Sequence, residues 1–284
     1  MTRRRLGELL MQAGVVLAAA GIEDAAREAR LLLGHALGLG RMELVALGRE
    51  ALVESGRFEA LLARRARREP LALLTGRQGF WTLDLAVSPD TLIPRADSET
   101  LIEALLEARP ERDSVRRVLD LGTGTGCLLL AALSEYRAAW GVGVDLSPPA
   151  CRLAARNAAA NGLAERSAFV CGDWTAAIGG GFTVVLSNPP YIRASDLPEL
   201  MPEVAEYEPA RALDGGTDGL DAYRLLMPPV AALIEPGGLG VFEVGVGQAE
   251  DVARLAVASG LCRVGMRADL NGIARAVLVE RPQR

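Results

Sequence analysis

The 284 residues carry 31 arginines and no lysine against 36 acidic residues, a formal net charge of −5, with half of the chain hydrophobic and a mean hydropathy of +0.20. That length and composition fit one or two domains with a large core, and the acidity argues against a protein that mainly coats nucleic acid. Without lysine, Schiff-base and P-loop lysine chemistry is excluded, and a single histidine, His35, leaves triads and histidine-rich metal sites poor candidates.

Helical periodicity runs from residue 1 to about 70. Leu6, Leu9, Leu10, Val16 and Leu17 recur at helical spacing, residues 25–33 continue it towards Gly38 and Gly40, and residues 58–69 form a further helix ending at Pro70. His35 reads as a core or partner-facing residue, and Arg64, Arg65, Arg67 and Arg68 as a solvated face. The first 70 residues hold 12 arginines against 9 acids, and the rest 19 against 27, so a mildly basic helical bundle precedes a larger acidic domain. Residues 71–94, punctuated by Gly76 and Gly79 and alternating over 80–87, are expected to be a hairpin linker.

From Arg116 onward strands alternate with helices. Expected strands are Arg117–Leu121, Trp140–Asp145, Ser167–Cys171, Phe182–Ser187, 238–244, Cys262–Ala268 and 275–280; expected helices are 127–136, 148–161, 220–234 and 249–259. Buried apolar strands alternating with amphipathic helices give the α/β class, a doubly wound, mostly parallel sheet. Cys127, Cys151, Cys171 and Cys262 form no CxxC pair and read as small buried apolar residues in a reducing compartment. The start Met1-Thr2-Arg3-Arg4-Arg5 is a weak match to a signal peptide, and no apolar run reaches the ~18 residues of a membrane span, so a soluble cytoplasmic protein without a membrane partner is expected.

The first of these strands runs through Asp120 into Gly122-Thr123-Gly124-Thr125-Gly126 and straight into a helix. Glycines there let backbone amides approach a ligand and aim a helix N-terminus at it. The spacing is neither GxGxxG nor a P-loop. Asp145 ends the next strand, where a carboxylate can accept both ribose hydroxyls, and Asp173-Trp174 follows the third, where an acid and an indole suit adenine. Together these strand ends point to an adenosine-containing ligand. The combination resembles the class I S-adenosylmethionine-dependent methyltransferases. That resemblance implies a Rossmann-like seven-stranded sheet with an antiparallel last strand and a cofactor, S-adenosylmethionine, held by Gly122, Thr123, Gly124, Thr125, Gly126, Asp145 and Trp174, with Asn188 beside it and no metal.

The fourth strand ends Ser187-Asn188-Pro189-Pro190-Tyr191. Two prolines stiffen the backbone leaving the strand and keep its carbonyls free. A conjugated NH₂ is a poor nucleophile. Accepting its two hydrogens at Asn188 Oδ1 and the Pro189 carbonyl holds its nitrogen towards an activated methyl, while Tyr191 can stack on the planar group. Asn188, Pro189 and Tyr191 are therefore the candidate catalytic residues, and Pro190 joins them in lining the acceptor.

The elbow resembles that of amino-methyltransferases, which modify adenine, cytosine, guanine or glutamine nitrogens. Residues 92–99, the glycine loop, the elbow, Glu208-Pro209, the turn from Asp214 to Leu220, and Phe242-Glu243-Val244-Gly245 with Gln248 occur here in one order, after an N-terminal stretch from Glu28 to Gly38. In this combination the chain resembles the peptide chain release factor glutamine methyltransferases, the PrmC or HemK family. That likeness implies a helical, substrate-docking domain over 1–70, a hairpin linker over 71–94 and a catalytic domain over 95–284. It also implies class 1 release factors as protein substrate, methylated on the glutamine of their Gly-Gly-Gln motif, with no stable nucleic-acid complex. The alternatives are a ribosomal-protein glutamine, or DNA or RNA, as acceptor. Ala96, Ser98 and Ala222 depart from the family's more usual proline, threonine and aromatic residue. Residues 92–99 are expected to begin a helix and help roof the cofactor, and the 214–219 turn to shape the acceptor cleft.

Overall fold

The first unit grows from leucines and alanines repeating every third or fourth residue. The computed structural model describes residues 3–283, and its unit 1 comprises Met1–Arg77 with Met201–Tyr207. Met1 and Thr2, at the start of the weak leader-like stretch, and Arg284, at the end of the expected catalytic range, lie outside the described residues. Strand β1 (Arg3–Arg5) leads into α1 (Leu6–Ala19), α2 (Ala25–Leu37), α3 (Arg41–Ala46), β2 (Leu52–Glu54), α4 (Gly56–Ala66) and α5 (Leu71–Thr75). Leu6, Leu9, Ala13 and Leu17 of α1 share one core with Ala29, Leu32 and Leu33 of α2 and Phe58 and Leu61 of α4.

Three expectations are corrected in this unit. The helical run is interrupted by a ladder pairing Arg3 with Glu54, Arg4 with Val53 and Arg5 with Leu52. The expected linker opens with a helix, α5, and the hairpin is confined to β3 (Arg77–Phe80) and β4 (Leu83–Ala86). The arginine face is not simply solvated: Arg65 is buried and paired with Glu28 and Glu203, Arg64 pairs with Glu69, and Arg68 pairs with Glu203. His35 is half-buried, its Nε2 3.1 Å from Arg57 Nη2; burial and that guanidinium push its pKa down.

The second unit, Gln78–Leu200 with Glu208–Arg284, holds the sheet. After a 3-10 turn (Ala96–Ser98) come α6 (Glu99–Ala108), β5 (Arg117–Leu121), α7 (Cys127–Glu135), β6 (Trp140–Asp145), α8 (Pro148–Ala160), β7 (Ser167–Cys171) and β8 (Phe182–Ser187). Helix α9 (Pro202–Ala205) belongs to the first unit; α10 (Asp221–Leu233), β9 (Ile234–Glu243), α11 (Ala249–Ala258), β10 (Cys262–Ala268) and β11 (Ala274–Glu280) complete the second. Strand order is β10-β11-β9-β8-β5-β6-β7. The five strands from β9 to β7 run parallel, and β11 is antiparallel to both β9 and β10.

Alternate residues of each strand enter opposite cores. Val118, Val184, Val241 and Leu278 face α6 and α7, and Leu119, Val185, Phe242 and Val277 face α10 and α11. With both faces covered, the carboxyl ends of the strands are where side chains can meet a ligand. The cysteine expectation holds for Cys151, which is buried, and in part for Cys127, which is half-buried; Cys171 and Cys262, at strand ends, are exposed. No described helix is long and apolar enough to cross a membrane.

Candidate active site

A cleft of about 980 Å³, its open mouth included, lies at the carboxyl ends of β5, β6, β7 and β8. One wall is the glycine loop. Gly122, Gly124 and Gly126 have φ of 75°, 54° and 84°, the left-handed region that costs other residues ~1–2 kcal/mol. This folds the loop back on β6, where the Gly122 and Thr123 amides both donate to Val144 O at 2.9 Å. Asp145 locks the next turn: Oδ2 accepts from Gly124 N at 2.9 Å and Oδ1 from Ser147 N at 2.8 Å. Beneath the loop, Asp120 accepts from Thr123 Oγ1 at 2.6 Å and Leu129 N at 3.3 Å. Burial pushes Asp120 up to about 7 despite those two donors.

The opposite wall comes from residues 90–98 and 208–212. Glu208, 7% exposed, accepts from Ile93 N at 3.1 Å and pairs with Arg95, while Arg211 Nη2 donates to Asp90 O at 2.6 Å. Thr91, Leu92, Pro94, Arg95 and Ser98 all line the cleft. Its floor carries Asp173 and Trp174, the latter at φ 46° with its ring against Gly122.

Of the expected site residues, the cleft gathers Gly122, Thr123, Gly124, Thr125, Asp145, Trp174, Asn188 and Pro190. Gly126, Pro189 and Tyr191 do not line it. Gly126 caps α7, Pro189 is buried, and Tyr191 packs against the core on the α10 and α11 side, its hydroxyl donating to Glu243 Oε1 at 3.2 Å. Tyr191 therefore braces the elbow in this structure and does not present its ring to the cleft. Burial, with the Glu243 carboxylate beside it, holds the Tyr191 phenol far above its ordinary range.

A second layer holds the elbow: the motif alone gives Ser187 and Gln248 no role, while residues 92–99 and the 214–219 turn, expected to roof the cofactor and to shape the acceptor cleft, both reach it. Ser187 Oγ donates to Leu121 O at 2.7 Å, tying β8 to β5. Asn188 Nδ2 donates to Ser98 Oγ at 3.2 Å. Gln248 Nε2 donates to Tyr191 O at 2.9 Å and Gly219 O at 3.3 Å, while its Oε1 accepts from Gly245 N at 3.0 Å. The 214–219 turn presses on the same backbone. Ile192 bridges to Asp214, and a Cβ on Gly219 would stand 2.4 Å from Tyr191 O. Gly219→Ala, at φ 78°, thus meets both strain and a backbone collision, whereas Gly247→Ala, at φ 79° with open space around it, meets strain alone. Gly247→Ala should cost about 1 kcal/mol and Gly219→Ala about 2–4 kcal/mol. Thermal unfolding checks the difference, at roughly 2–4 °C per kcal/mol for a domain of this size.

Two buried hydroxyls in the cleft, Thr91 Oγ1 and Thr125 Oγ1, have no hydrogen-bond partner. With the carboxylates of Asp145 and Asp173 and the Trp174 indole they make a cavity that suits a polar, nucleoside-sized ligand.

The strand order, with β11 reversed between β9 and β10 and the cleft over β5 and β6, places this fold among the class I methyltransferases. A methyltransferase from Pyrococcus furiosus shares it, matching 81% of this chain and 100% of that one with a TM-score of 0.54 at 16% identity. Residues 8–76 match the model of the PrmC N-terminal domain, and 96–206 that of the methyltransferase small domain. Proteins named release factor glutamine methyltransferase from Rhodospirillum rubrum and Cereibacter sphaeroides are 48% and 45% identical. Those matches cover 97% and 98% of this chain, and 85% and 99% of theirs. The chain belongs to the release factor glutamine methyltransferase family.

Proposed function

We propose that the protein transfers a methyl group from S-adenosylmethionine to the side-chain amide nitrogen of the glutamine in the Gly-Gly-Gln motif of class 1 release factors, and so tunes translation termination in the cytoplasm. The observation that carries this reading is Asn188 at the cleft wall, its NH₂ end engaged by Ser98 and its carbonyl oxygen left for an acceptor.

The cleft fits the cofactor by its own chemistry. Asp145 would take the ribose hydroxyls, Asp173 and Trp174 the adenine, and the unpartnered Thr91 and Thr125 hydroxyls further polar groups. Bound there, S-adenosylmethionine supplies a methyl on a cationic sulfur: an N–C bond forms as the C–S bond breaks, its electron pair stays on a neutral thioether, and one amide proton leaves to solvent.

The chain's own task is orientation. Asn188 Oδ1 accepts an amide hydrogen and keeps the substrate NH₂ in one plane, and Pro189 and Pro190 hold the elbow stiff so that the acceptor does not drift. Orientation of that kind supplies up to ~7–11 kcal/mol in well-arranged systems, which a reaction with a neutral leaving group can exploit without a strong base. The helical unit, as a docking domain for a folded protein substrate, completes the reading.

Tritiated methyl transfer tests it. Purified release factor should be labelled, the same factor with the motif glutamine replaced should not, and free DNA and RNA should stay unlabelled. Label on nucleic acid, or on the substituted factor, overturns the assignment.

A further inference from the structure

Two prolines alone do not fix the elbow. Proline sets φ but leaves ψ free and brings no N–H, so Pro189 and Pro190 give the backbone no donor once the chain leaves β8 at Ser187. The chain is next held at Tyr191 and Ile192. Ile192 N donates to Leu213 O at 3.0 Å, and Gly215 N donates to Ile192 O at 2.8 Å. Both partners lie on the 213–219 turn, itself a loop. The Tyr191 carbonyl is held differently, by the side chain of Gln248.

Gln248 stands on the firm part of the unit. It is the N-cap of α11, whose Val252, Ala253 and Ala256 are buried in the core beside the sheet, and it is 5% exposed. Its carboxamide has one arrangement that satisfies all three partners. Oε1 accepts from Gly245 N at 3.0 Å, which leaves the two hydrogens of Nε2 to Tyr191 O at 2.9 Å and Gly219 O at 3.3 Å. A flipped amide would set Oε1 against two carbonyls and Nε2 against an N–H. Glycines leave room for this clasp: a Cβ at 245 would stand 2.7 Å from Gln248 Oε1, and a Cβ at 219 would stand 2.3 Å from Nε2. Nothing in the methyl transfer itself uses the residue.

We propose that Gln248 is a positioning residue for the acceptor: by clasping Tyr191 O and Gly219 O to the start of α11 it fixes the far end of the elbow, and with it the place where Asn188 Oδ1 holds the substrate NH₂. The proposal rests on the reading of Asn188 as that acceptor. Upstream, Ser187 is tied to β5 through Leu121 O. Downstream, Gln248 supplies the matching tie to β9 and α11. With both ends held and two fixed φ angles between them, Asn188 keeps one place. Releasing the downstream end lets the elbow shift together with the 213–219 turn, to which Ile192 is bonded. A displacement of about 1 Å at a reacting group can lower a rate by about 10²-fold. The glycine loop hangs on Val144 O, and not on this clasp.

The test is a double-mutant cycle on kcat: wild type, Gln248→Met, Asn188→Ala and the pair. Methionine keeps the length and bulk of glutamine and brings no amide donors. Gln248→Met should lower kcat about 10–10²-fold, with the Kd for S-adenosylmethionine within about twofold of wild type. In the Asn188→Ala background the same substitution should cost about twofold or less, because the group it positions is gone. Equal losses in the two backgrounds, or wild-type kcat in Gln248→Met, would overturn the proposal. Gln248→Glu, which keeps an acceptor for Gly245 N and lacks the two amide hydrogens, should repeat the pattern and serves where the methionine variant does not fold.

A second readout needs no turnover. Amide hydrogen exchange in Gln248→Met should quicken about tenfold at Ile192 and Gly215 and keep the wild-type rate at Gly122 and Thr123, which are bonded to Val144 O. Exchange unchanged at Ile192, or quickened alike at all four, would overturn the clasp. A wild-type enzyme that leaves the release-factor glutamine unlabelled, or an Asn188→Ala enzyme with full kcat, overturns the functional reading instead, while exchange at Ile192 still judges the clasp.

Discussion

Asn188→Ala should lower methyl transfer to the release-factor glutamine about 10²–10³-fold, the usual loss for one preorganised polar contact in an active site, while S-adenosylmethionine affinity changes far less. The asymmetry follows from placement. Of the groups suited to the cofactor, Gly122 and Thr123 are held by Val144 O, Gly124 by Asp145 and Thr125 by Asn157, and the Trp174 ring lies against Gly122; the Asn188 side chain is bonded to none of them. Asn188 is held by different partners, Ser98 beside it and the tie from Ser187 to Leu121 beneath it. Truncating it removes the acceptor for the substrate NH₂ and leaves the cofactor walls standing. Steady-state kinetics with purified release factor should show the loss in kcat, and calorimetric titration with S-adenosylmethionine should show binding near wild type. Turnover within a factor of a few of wild type would remove Asn188 from the chemistry.

Much of the sheet was legible because each strand is a short apolar run bounded by turn residues. Five of the expected strands, among them Trp140–Asp145 and Phe182–Ser187, have the observed bounds. The reversed β11 was not read from its residues; it came with the family resemblance, since periodicity carries no direction. Asp145 and the glycine loop were legible because local sequence fixes both strand end and turn. Tyr191 shows the limit of that reading. Its sequence position beside two prolines suggests a ring facing the acceptor, but its orientation depends on Glu243, 52 residues on, and on Gln248, 57 residues on, which grips its carbonyl.

The elements that escaped sequence reading share that dependence on distant partners. The ladder of Arg3–Arg5 needs Leu52–Glu54, and α5 is too short to show a period. Cys171 and Cys262 follow strand position and not the average burial of cysteine. Arg65 looks like its neighbours Arg64 and Arg67 in a basic stripe; what turns it inward is Glu28, 37 residues before it, and Glu203, 138 residues after it.

That inward arginine makes a strong prediction for the helical unit. Arg65→Ala should destabilise the unit by about 3 kcal/mol, the low end of the loss on breaking a buried ion pair, because it leaves the half-buried Glu28 carboxylate without its cation and Glu203 with Arg68 alone. Arg65 is 6% exposed, with Nε 2.5 Å from Glu28 Oε2 and Nη1 3.0 Å from Glu203 Oε1. Arg68 adds a second cation, its Nε 2.8 Å from the same Glu203 oxygen, and is itself anchored by Nη1 on Gly21 O at 2.7 Å. Arg68 takes φ 67° at the end of α4, a conformation that costs a non-glycine residue ~1–2 kcal/mol, so it cannot move to replace Arg65 without giving up that anchor. Burial raises the Glu203 carboxyl, but its own backbone amide, Arg68 and Arg65 outweigh it and hold the group below its ordinary 4.5. A carboxyl depressed in the native state stabilises it above the unfolded value and loses that contribution as pH falls through the native one. The gap between Arg65→Ala and wild type in denaturant unfolding should therefore be full at pH 7 and narrow well below pH 4.5. A gap as wide in acid as at neutrality would mean that packing of the long side chain, and not its pairing with Glu28 and Glu203, is what the unit loses.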